Sequence, residues 1–140
     1  MTIQPYLFFG GRCEEALDFY RGAVGAEVVE LMRFRDSPEP PPPEMMTPDW
    51  TEKIMHCTVR IGESDVMASD GCPSGDAAFR GFSLSISVAD APAAHHAFEA
   101  LSEGGSVQMP LGETFWSPCF GMVTDRFGLQ WMVNVPGETP

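Results

Sequence analysis

The chain has 140 residues, of which 44% are hydrophobic, and this size and composition predict one folded domain with a substantial core. The formal net charge of −12 is spread along the chain, which disfavours nucleic acid and anionic membranes as partners. No apolar run reaches the ~18 residues of a membrane span and no signal-peptide pattern opens the chain, so we expect a cytoplasmic protein.

The first half of the chain predicts a strand, a helix and three further strands. Apolar side chains recur every three to four residues through 12–24, which is typical of a helix with one buried face, and Gly25 provides its end. Short apolar or alternating runs predict the strands. These strands are residues 4–9, 27–34, 53–61 and 65–69, the last two forming a hairpin around Gly62.

A proline-rich segment, residues 36–50, separates the second and third strands. It contains six prolines in fifteen residues, and proline lacks the N–H that helices and sheets require, so we predict neither element here. Met45, Met46 and Trp50 offer apolar contacts. Three alternatives remain: a lid over the sheet, an arm that holds a partner subunit, and a disordered loop.

The second half repeats the same plan. Its helix is predicted at 90–103 with Asp90 as its cap, and its strands at 82–88, 107–109, 119–124 and 129–135. The strand 82–88 alternates strictly, so its serines at 83, 85 and 87 share the more polar face. His95 and His96 are adjacent on the helix and cannot share a face, so we expect both to be solvated.

The two halves are copies of one unit. Gly25 and Gly104, which end the two helices, are 79 residues apart, whereas the hairpin segments 59–68 and 123–132 are 64 apart. The difference matches the fifteen-residue segment 36–50, which is therefore an insertion in the first copy. We expect a single domain, 1–140, made of modules 1–70 and 80–136.

The amino-acid sequences of these modules are similar to those of a known family. The matching residues are 5–9, Ala16, 19–20, 53–56, 67–70, 104–111, 114–117, 120–121, 125–128 and 131–134. Together they resemble the vicinal oxygen chelate superfamily of glyoxalase I, bleomycin-resistance proteins and extradiol dioxygenases, and within it the PhnB-like branch. Members of that branch are often labelled 3-demethylubiquinone-9 3-methyltransferases, although this chain is too short for a doubly wound cofactor domain plus a substrate region.

The resemblance implies an α+β fold in which each module curls its sheet into a cup. The two cups enclose a ligand, and a homodimer often completes the site. In metal-dependent members, the first and last strand of each module supply one ligand each. Counted along this sequence without gaps, those places are Pro5, Ala68, Ser83 and Met132.

None of these four residues is a His, Glu, Asp or Gln, and a divalent ion needs at least three imidazole or carboxylate donors. We therefore expect no cofactor. A divalent metal is the alternative, because a count that is wrong by two residues would bring in Asp70 and Asn134, and Gln4 lies one residue back on the first strand.

His56 and Asp70 are the candidate catalytic residues, because they lie on neighbouring predicted strands of the first module. A hydrogen bond from one nitrogen of His56 to Asp70 would leave the other nitrogen to act as a base or to orient a ligand. The alternative is structural: a histidine that ties two strands together and an aspartate that closes the turn before Gly71.

Aromatic residues form the candidate ligand-binding group, since small-molecule pockets combine aromatic walls with a few polar groups. The group comprises Tyr6, Phe115, Trp116, Phe120 and Trp131, with Gln108 as a polar member. Ordinary core packing is the alternative, first of all for Tyr6 and Phe120. Trp116 follows Thr114 and Phe115 in a loop, so we predict that it lines the ligand entrance.

The sequence therefore predicts a PhnB-like protein that binds a small organic molecule without a metal and forms a homodimer. Two enzyme alternatives remain open. One is a lyase or isomerase that uses His56 and Asp70, and the other is a divalent-metal-dependent enzyme of the glyoxalase or dioxygenase type.

Overall fold

The structure is a computed structural model that describes residues 1–39, 47–73 and 77–137. The chain divides into two compact units, Met1–Ala77 and Ala78–Pro140. Each unit holds one α-helix and one four-stranded mixed sheet, which confirms the predicted α+β fold of two βαβββ modules. No helix in the described ranges is long and apolar enough to span a membrane.

The first unit contains β1, α1, β2, β3 and β4 in chain order. They are Tyr6–Phe8, Cys13–Val24, Glu27–Arg33, Ile54–Ile61 and Ser64–Ser69. The sheet order is β1-β4-β3-β2; β1 runs parallel to β4, and the other neighbours are antiparallel.

The second unit repeats this topology with β5, α2, β6, β7 and β8. They are Leu84–Ser87, Ala91–Ser102, Ser106–Gly112, Cys119–Thr124 and Gln130–Val135. The sheet order is β5-β8-β7-β6; β5 runs parallel to β8, and the other neighbours are antiparallel.

The helix ends follow the predicted signals. Gly25 ends α1 with a left-handed φ of 68°, a conformation that glycine adopts without steric cost. Asp90 caps α2 by accepting a hydrogen bond from the N–H of Ala93 at 2.9 Å. His95 and His96 on α2 are both exposed, as predicted.

In the first sheet, one face is covered by α1. Leu7, Cys57 and Ala68 point to this side and are at most 4% exposed. Cys13, the first residue of α1, brings its Sγ to 4.0 Å from the Sγ of Cys57. The opposite side of the sheet is not covered by α1, and we call it the open face of the first sheet.

The second sheet is arranged in the same way around α2. Trp131 and Val133 of β8 are at most 1% exposed. Gly121 of β7 lies so close to α2 that a Cβ there would stand 2.7 Å from the Phe98 ring, so the absence of a side chain allows this approach. The side away from α2 is the open face of the second sheet.

The C-terminal end of the proline-rich segment packs against its own unit. The prediction of no helix there is wrong at its C-terminal end, where Pro48–Glu52 form a 3-10 helical turn; proline fits the first turn because its N–H is not needed there. Trp50 donates from Nε1 to the carbonyl oxygen of Gly71 at 2.9 Å. Trp50 therefore holds this turn to the first unit, while Met45 and Met46 lie outside the described residues.

Candidate functional site

The open face of the first sheet carries an aromatic pair at its edge strand. The rings of Tyr6 and Phe8 on β1 stack with their centroids 5.0 Å apart and an angle of 27° between their planes. Tyr6 is 38% exposed and Phe8 is 55% exposed. The core-packing alternative for Tyr6 is therefore wrong, and the pair forms an accessible aromatic surface.

His56 on β3 joins this surface through Tyr6. The Oη of Tyr6 lies 3.0 Å from the Nδ1 of His56, and the two ring centroids are 5.7 Å apart. Partial burial raises the pKa of Tyr6 above its usual value, with smaller contributions from negative charge on Cys57 and Cys13. Tyr6 therefore stays protonated and can donate its hydrogen to a neutral His56.

The direction of that hydrogen bond and the tautomer of a neutral His56 are linked. If Tyr6 donates to Nδ1, the ring proton of a neutral imidazole is on Nε2; if Nδ1–H donates to Tyr6, Nε2 carries a lone pair. Within the described part of the chain, no hydrogen bond joins His56 Nε2 to another residue, and the His56 side chain is partly exposed. The open face thus offers a hydrogen-bonding ring nitrogen beside two stacked rings.

Asp70 does not pair with His56. It is 2% exposed, and its Oδ1 accepts hydrogen bonds from the backbone N–H groups of Gly11 at 2.9 Å and Cys13 at 2.8 Å. Its Oδ2 accepts from the N–H of Ile54 at 2.8 Å. The predicted His56–Asp70 hydrogen bond is therefore wrong, and the structural alternative describes Asp70.

The physical reason is the position of Asp70 at the start of α1. A carboxylate there satisfies backbone donors that the first helical turn leaves unpaired, and it is favoured by the helix dipole. Gly71, with a left-handed φ of 72°, turns the chain directly after it. Asp70 thus joins the β1–α1 loop to β3. Of the two predicted catalytic residues, His56 remains a candidate.

The open face of the second sheet carries Phe120 and, next to it, Trp116. Their rings meet edge to face with centroids 5.3 Å apart, and Phe115 meets Trp116 in the same way at 4.7 Å. Phe115 is 96% exposed and Trp116 is 48% exposed, whereas Phe120 is only 9% exposed. These three predicted ligand-binding residues are therefore brought together.

The loop that carries Trp116 is held by its neighbours. The N–H of Thr114 donates to the carbonyl oxygen of Ser117 at 2.8 Å, which closes the loop on itself. Ser117 donates its hydroxyl to the carbonyl oxygen of Val135 at 2.6 Å, which ties the loop to the end of β8. The half-exposed indole of Trp116 is thus presented from an ordered loop, and its place at a ligand entrance stays a prediction.

Trp131 belongs to the core and not to a ligand surface. It is 1% exposed, on the side of the sheet that faces α2. Its Nε1 donates to the Oδ2 of Asp125 at 2.8 Å. Asp125 Oδ1 accepts from the N–H groups of Phe127 and Leu129 in the same turn. The predicted ligand-binding role of Trp131 is therefore wrong, because its side chain lies on the face of β8 that packs against α2 and not on the open face.

Gln108 lies on the edge strand β6 and is exposed. Its Oε1 accepts from the hydroxyl of Thr124 at 2.8 Å, and its Nε2 donates to the hydroxyl of Ser106 at 3.4 Å. The long second bond leaves the amide N–H₂ available to a ligand. Its predicted binding role is untested.

Asn134 is a polar residue of this face. From the sequence it is a candidate only as a metal donor. It lies on β8 directly opposite Phe120 on β7 and beside Ser87 on β5. Its Oδ1 is buried and accepts no hydrogen bond from the described residues. The signal available in the sequence was the alternation of β8, where Asn134 follows Gln130 and Met132 on the open face.

The described side chains at the places expected for metal ligands are not those of a divalent-metal site. Ala68, one of the four places counted for a ligand, points to α1 and is 2% exposed. The open-face residues of the first and last strands are instead Tyr6, Phe8, Met67, Ser69, Ser85, Ser87, Met132 and Asn134. In the described ranges, no group of three or more His, Cys, Asp or Glu side chains is placed to hold an ion. Whether the protein binds a metal stays a prediction.

A polar cavity of about 340 Å³ lies at the other end of α1 from Gly25. It is lined by Glu14, Arg33, Arg35, Asp49, Glu52, Lys53, Ile54 and Asp70. Its cations are already paired: Arg33 with Glu14 at 2.6 Å, Arg35 with Glu52 at 2.8 Å, and Lys53 with the carbonyl oxygen of Gly11 at 2.8 Å. This network fastens β2 and the 3-10 turn to α1.

Comparison with known proteins places the chain among relatives of similar length. It is 39% identical to the protein YjdN of Escherichia coli strain K12 over 147 aligned residues, which cover 100% of this chain and 99% of YjdN. The crystal structure of PA1353 from Pseudomonas aeruginosa matches with a TM-score of 0.84 and 45% identity over 99% of both chains.

A PhnB protein from Bacillus cereus, described as a candidate 3-demethylubiquinone-9 3-methyltransferase, matches with a TM-score of 0.78 and 25% identity over 96% of this chain and 99% of that one. The model of one family covers residues 2–133. The chain therefore belongs to the Glyoxalase/Bleomycin resistance protein/Dioxygenase superfamily, and its relatives there include a PhnB protein.

Proposed function

We propose that the protein binds a small organic molecule on the open faces of its sheets and needs no metal ion to do so. The observation that carries this proposal is the exposure of stacked and edge-to-face aromatic rings beside unused hydrogen-bonding groups. Rings such as Phe8, 55% exposed, and Trp116, 48% exposed, lose contact with water when a ligand covers them.

A ligand screen tests this proposal. A compound that binds the folded state raises the melting temperature by mass action, so metabolites and glycopeptide drugs are compared by thermal shift and the hits confirmed by calorimetry. Tyr6→Ala and Trp116→Ala report which open face is used, and His95→Ala on the exposed side of α2 is the control. We expect one of the first two variants to lose the shift and the control to keep it.

Three results would contradict the proposal. The first is a screen without a hit, and the second is a hit whose shift survives in both Tyr6→Ala and Trp116→Ala. The third is a stoichiometric transition metal in elemental analysis of the purified protein together with loss of ligand binding after chelation, which would favour a metal-dependent enzyme.

Proton-transfer catalysis by His56, as in a lyase or isomerase, is the second candidate. The 3.0 Å contact between Tyr6 Oη and His56 Nδ1 favours it, because a histidine oriented by a second group is a common arrangement for a general acid or base. Asp70 has no part in this version. If a screened ligand is turned over, His56→Gln should abolish turnover and keep binding, whereas retained turnover would exclude His56.

We also propose that the chain forms a homodimer in the cytoplasm, since members of the superfamily often dimerise. Light scattering during gel filtration measures the mass directly. A mass of 15.3 kDa at all concentrations, that of one chain, would exclude the dimer.

A further inference from the structure

The open face of the first sheet combines exposed aromatic side chains with one polar group. The aromatic side chains are Tyr6 and Phe8, which stack with their ring planes within 27° of each other. The polar group is the imidazole of His56, whose ring centroid lies 5.7 Å from that of Tyr6. A planar molecule that packs against the exposed part of Tyr6 therefore lies near the imidazole of His56.

The hydrogen bond between Tyr6 Oη and His56 Nδ1 spans 3.0 Å and can run in either direction. With the phenol as the donor, a neutral His56 presents Nε2–H and not a lone pair. A ligand group at this edge must then accept a hydrogen bond. A ligand that placed a hydrogen-bond donor there would be mismatched, because its N–H or O–H group would face the N–H of His56.

From this geometry we infer that Tyr6 donates to His56 and that the first open face therefore selects planar aromatic molecules with a hydrogen-bond acceptor, such as a carbonyl oxygen or a ring nitrogen, attached to the ring. The ring packs against the exposed surface of Tyr6 and Phe8, and the acceptor takes the Nε2–H of His56. This inference rests on the proposed small-molecule binding and names the ligand class of one of its two faces.

Matched probes test the acceptor directly. Acetophenone carries a carbonyl on an aromatic ring, ethylbenzene has nearly the same shape without it, and benzylamine carries a cationic donor in place of an acceptor. Dissociation constants come from nuclear magnetic resonance titrations that follow the Tyr6, Phe8 and His56 side chains. We expect acetophenone to bind about three- to ten-fold more tightly than ethylbenzene, the effect of one net hydrogen bond.

Variants then assign the preference to His56. His56→Phe keeps a ring and removes the N–H, so it should bind both neutral probes equally; His95→Phe in the second unit is the matched control and should keep the preference. Tyr6→Phe keeps the stacking ring and removes the group that fixes the tautomer, so it should reduce the preference. If His56→Phe does not fold, Tyr6→Phe still tests whether the preference depends on the Tyr6–His56 hydrogen bond.

The inference is overturned by equal binding of acetophenone and ethylbenzene, by a preference that survives in His56→Phe, or by tighter binding of benzylamine than of acetophenone. It is also overturned if no probe shifts the signals of this face. Because the metabolite screen covers both faces, a hit there with no probe binding here would remove this inference and leave the proposed function standing.

Discussion

Ser69 and Asn134 occupy the same place in the two modules. The carbonyl oxygen of Ser69 accepts from the N–H of Phe9, and that of Asn134 accepts from the N–H of Val88, each at 2.9 Å. Their side chains differ in hydrogen bonding. Ser69 Oγ donates to the carbonyl of Ile54 and accepts from Gly71, whereas the buried Oδ1 of Asn134 accepts nothing from the described residues.

This difference predicts the effect of removing the Asn134 amide. An unpaired buried acceptor costs about 1–3 kcal/mol, and an apolar group of the same shape avoids that cost. Asn134→Leu should therefore leave the free energy of unfolding unchanged or raise it by up to about 2 kcal/mol, as measured by urea denaturation.

Ser69→Val is the comparison, because it removes a hydroxyl that has two partners and should lower the free energy of unfolding. A loss of stability in Asn134→Leu as large as that in Ser69→Val would show that Oδ1 has a partner, for example a bound water.

The same equivalence explains which predictions from the sequence failed. Cys57 pairs with Ala68 in the first sheet and Gly121 pairs with Val133 in the second, so β3 and β7 correspond at the predicted separation of 64. Strands β4 and β8 correspond at 65, as Ala68 to Val133. The second hairpin turn therefore holds one residue more than the first.

One residue is enough to reverse a face, because side chains alternate along a strand. The ungapped count matched Ala68 to Met132, although Ala68 faces α1 and Met132 lies on the open face. Trp131 was likewise assigned to the ligand surface. The elements themselves were predictable from apolar periodicity and from signals such as Gly25 and Asp90, which act locally.

The prediction of a hydrogen bond between His56 and Asp70 fails for a different reason. Its three partners are backbone N–H groups of Gly11, Cys13 and Ile54, and backbone donors leave no trace in the residue types of a sequence. The sequence pairs His56 with Asp70 because the two lie on neighbouring predicted strands, and it offers Tyr6 as a ligand-binding residue without showing its contact with His56.

Replacing Asp70 therefore tests its structural role. Asp70→Asn keeps one acceptor oxygen and turns an N–H₂ group toward backbone donors, so the free energy of unfolding should fall by about 2–4 kcal/mol. Urea denaturation measures the loss. Asp65→Asn, which breaks an exposed pair with Arg60, is the control and should change stability far less. Comparable losses in the two variants would argue against the structural role.

The two tryptophans of the second unit should differ in the same assay. Trp131→Phe removes a buried donor to the Oδ2 of Asp125 and part of the core volume, so we expect a loss of about 2–4 kcal/mol. Trp116→Phe keeps a ring at a half-exposed loop position and should cost less than about 1 kcal/mol. Equal losses would contradict the assignment of Trp131 to the core and Trp116 to the surface.

The ion pair between Glu14 and Arg33 predicts a pH dependence of stability. Hydrogen bonds from Arg33 lower the pKa of Glu14 below its usual value, with Nη2 at 2.6 Å from Oε2 and Nη1 at 3.1 Å from Oε1. A lowered folded-state pKa stabilises the fold above the unfolded-state pKa, and this contribution is lost as the pH falls through the folded-state pKa. The position of Glu14 in the first turn of α1 acts in the same direction.

Glu14→Gln should therefore be less stable than the parent protein at neutral pH and equally stable in acid. The Glu14 side chain is 59% exposed, so screening by water limits the neutral-pH difference to less than about 1 kcal/mol. Urea denaturation of both proteins across the acid range measures it. Glu63→Gln in the exposed β3–β4 turn is the control, and a Glu14→Gln difference that persists unchanged below the folded-state pKa would show that packing, and not the charge, accounts for the effect.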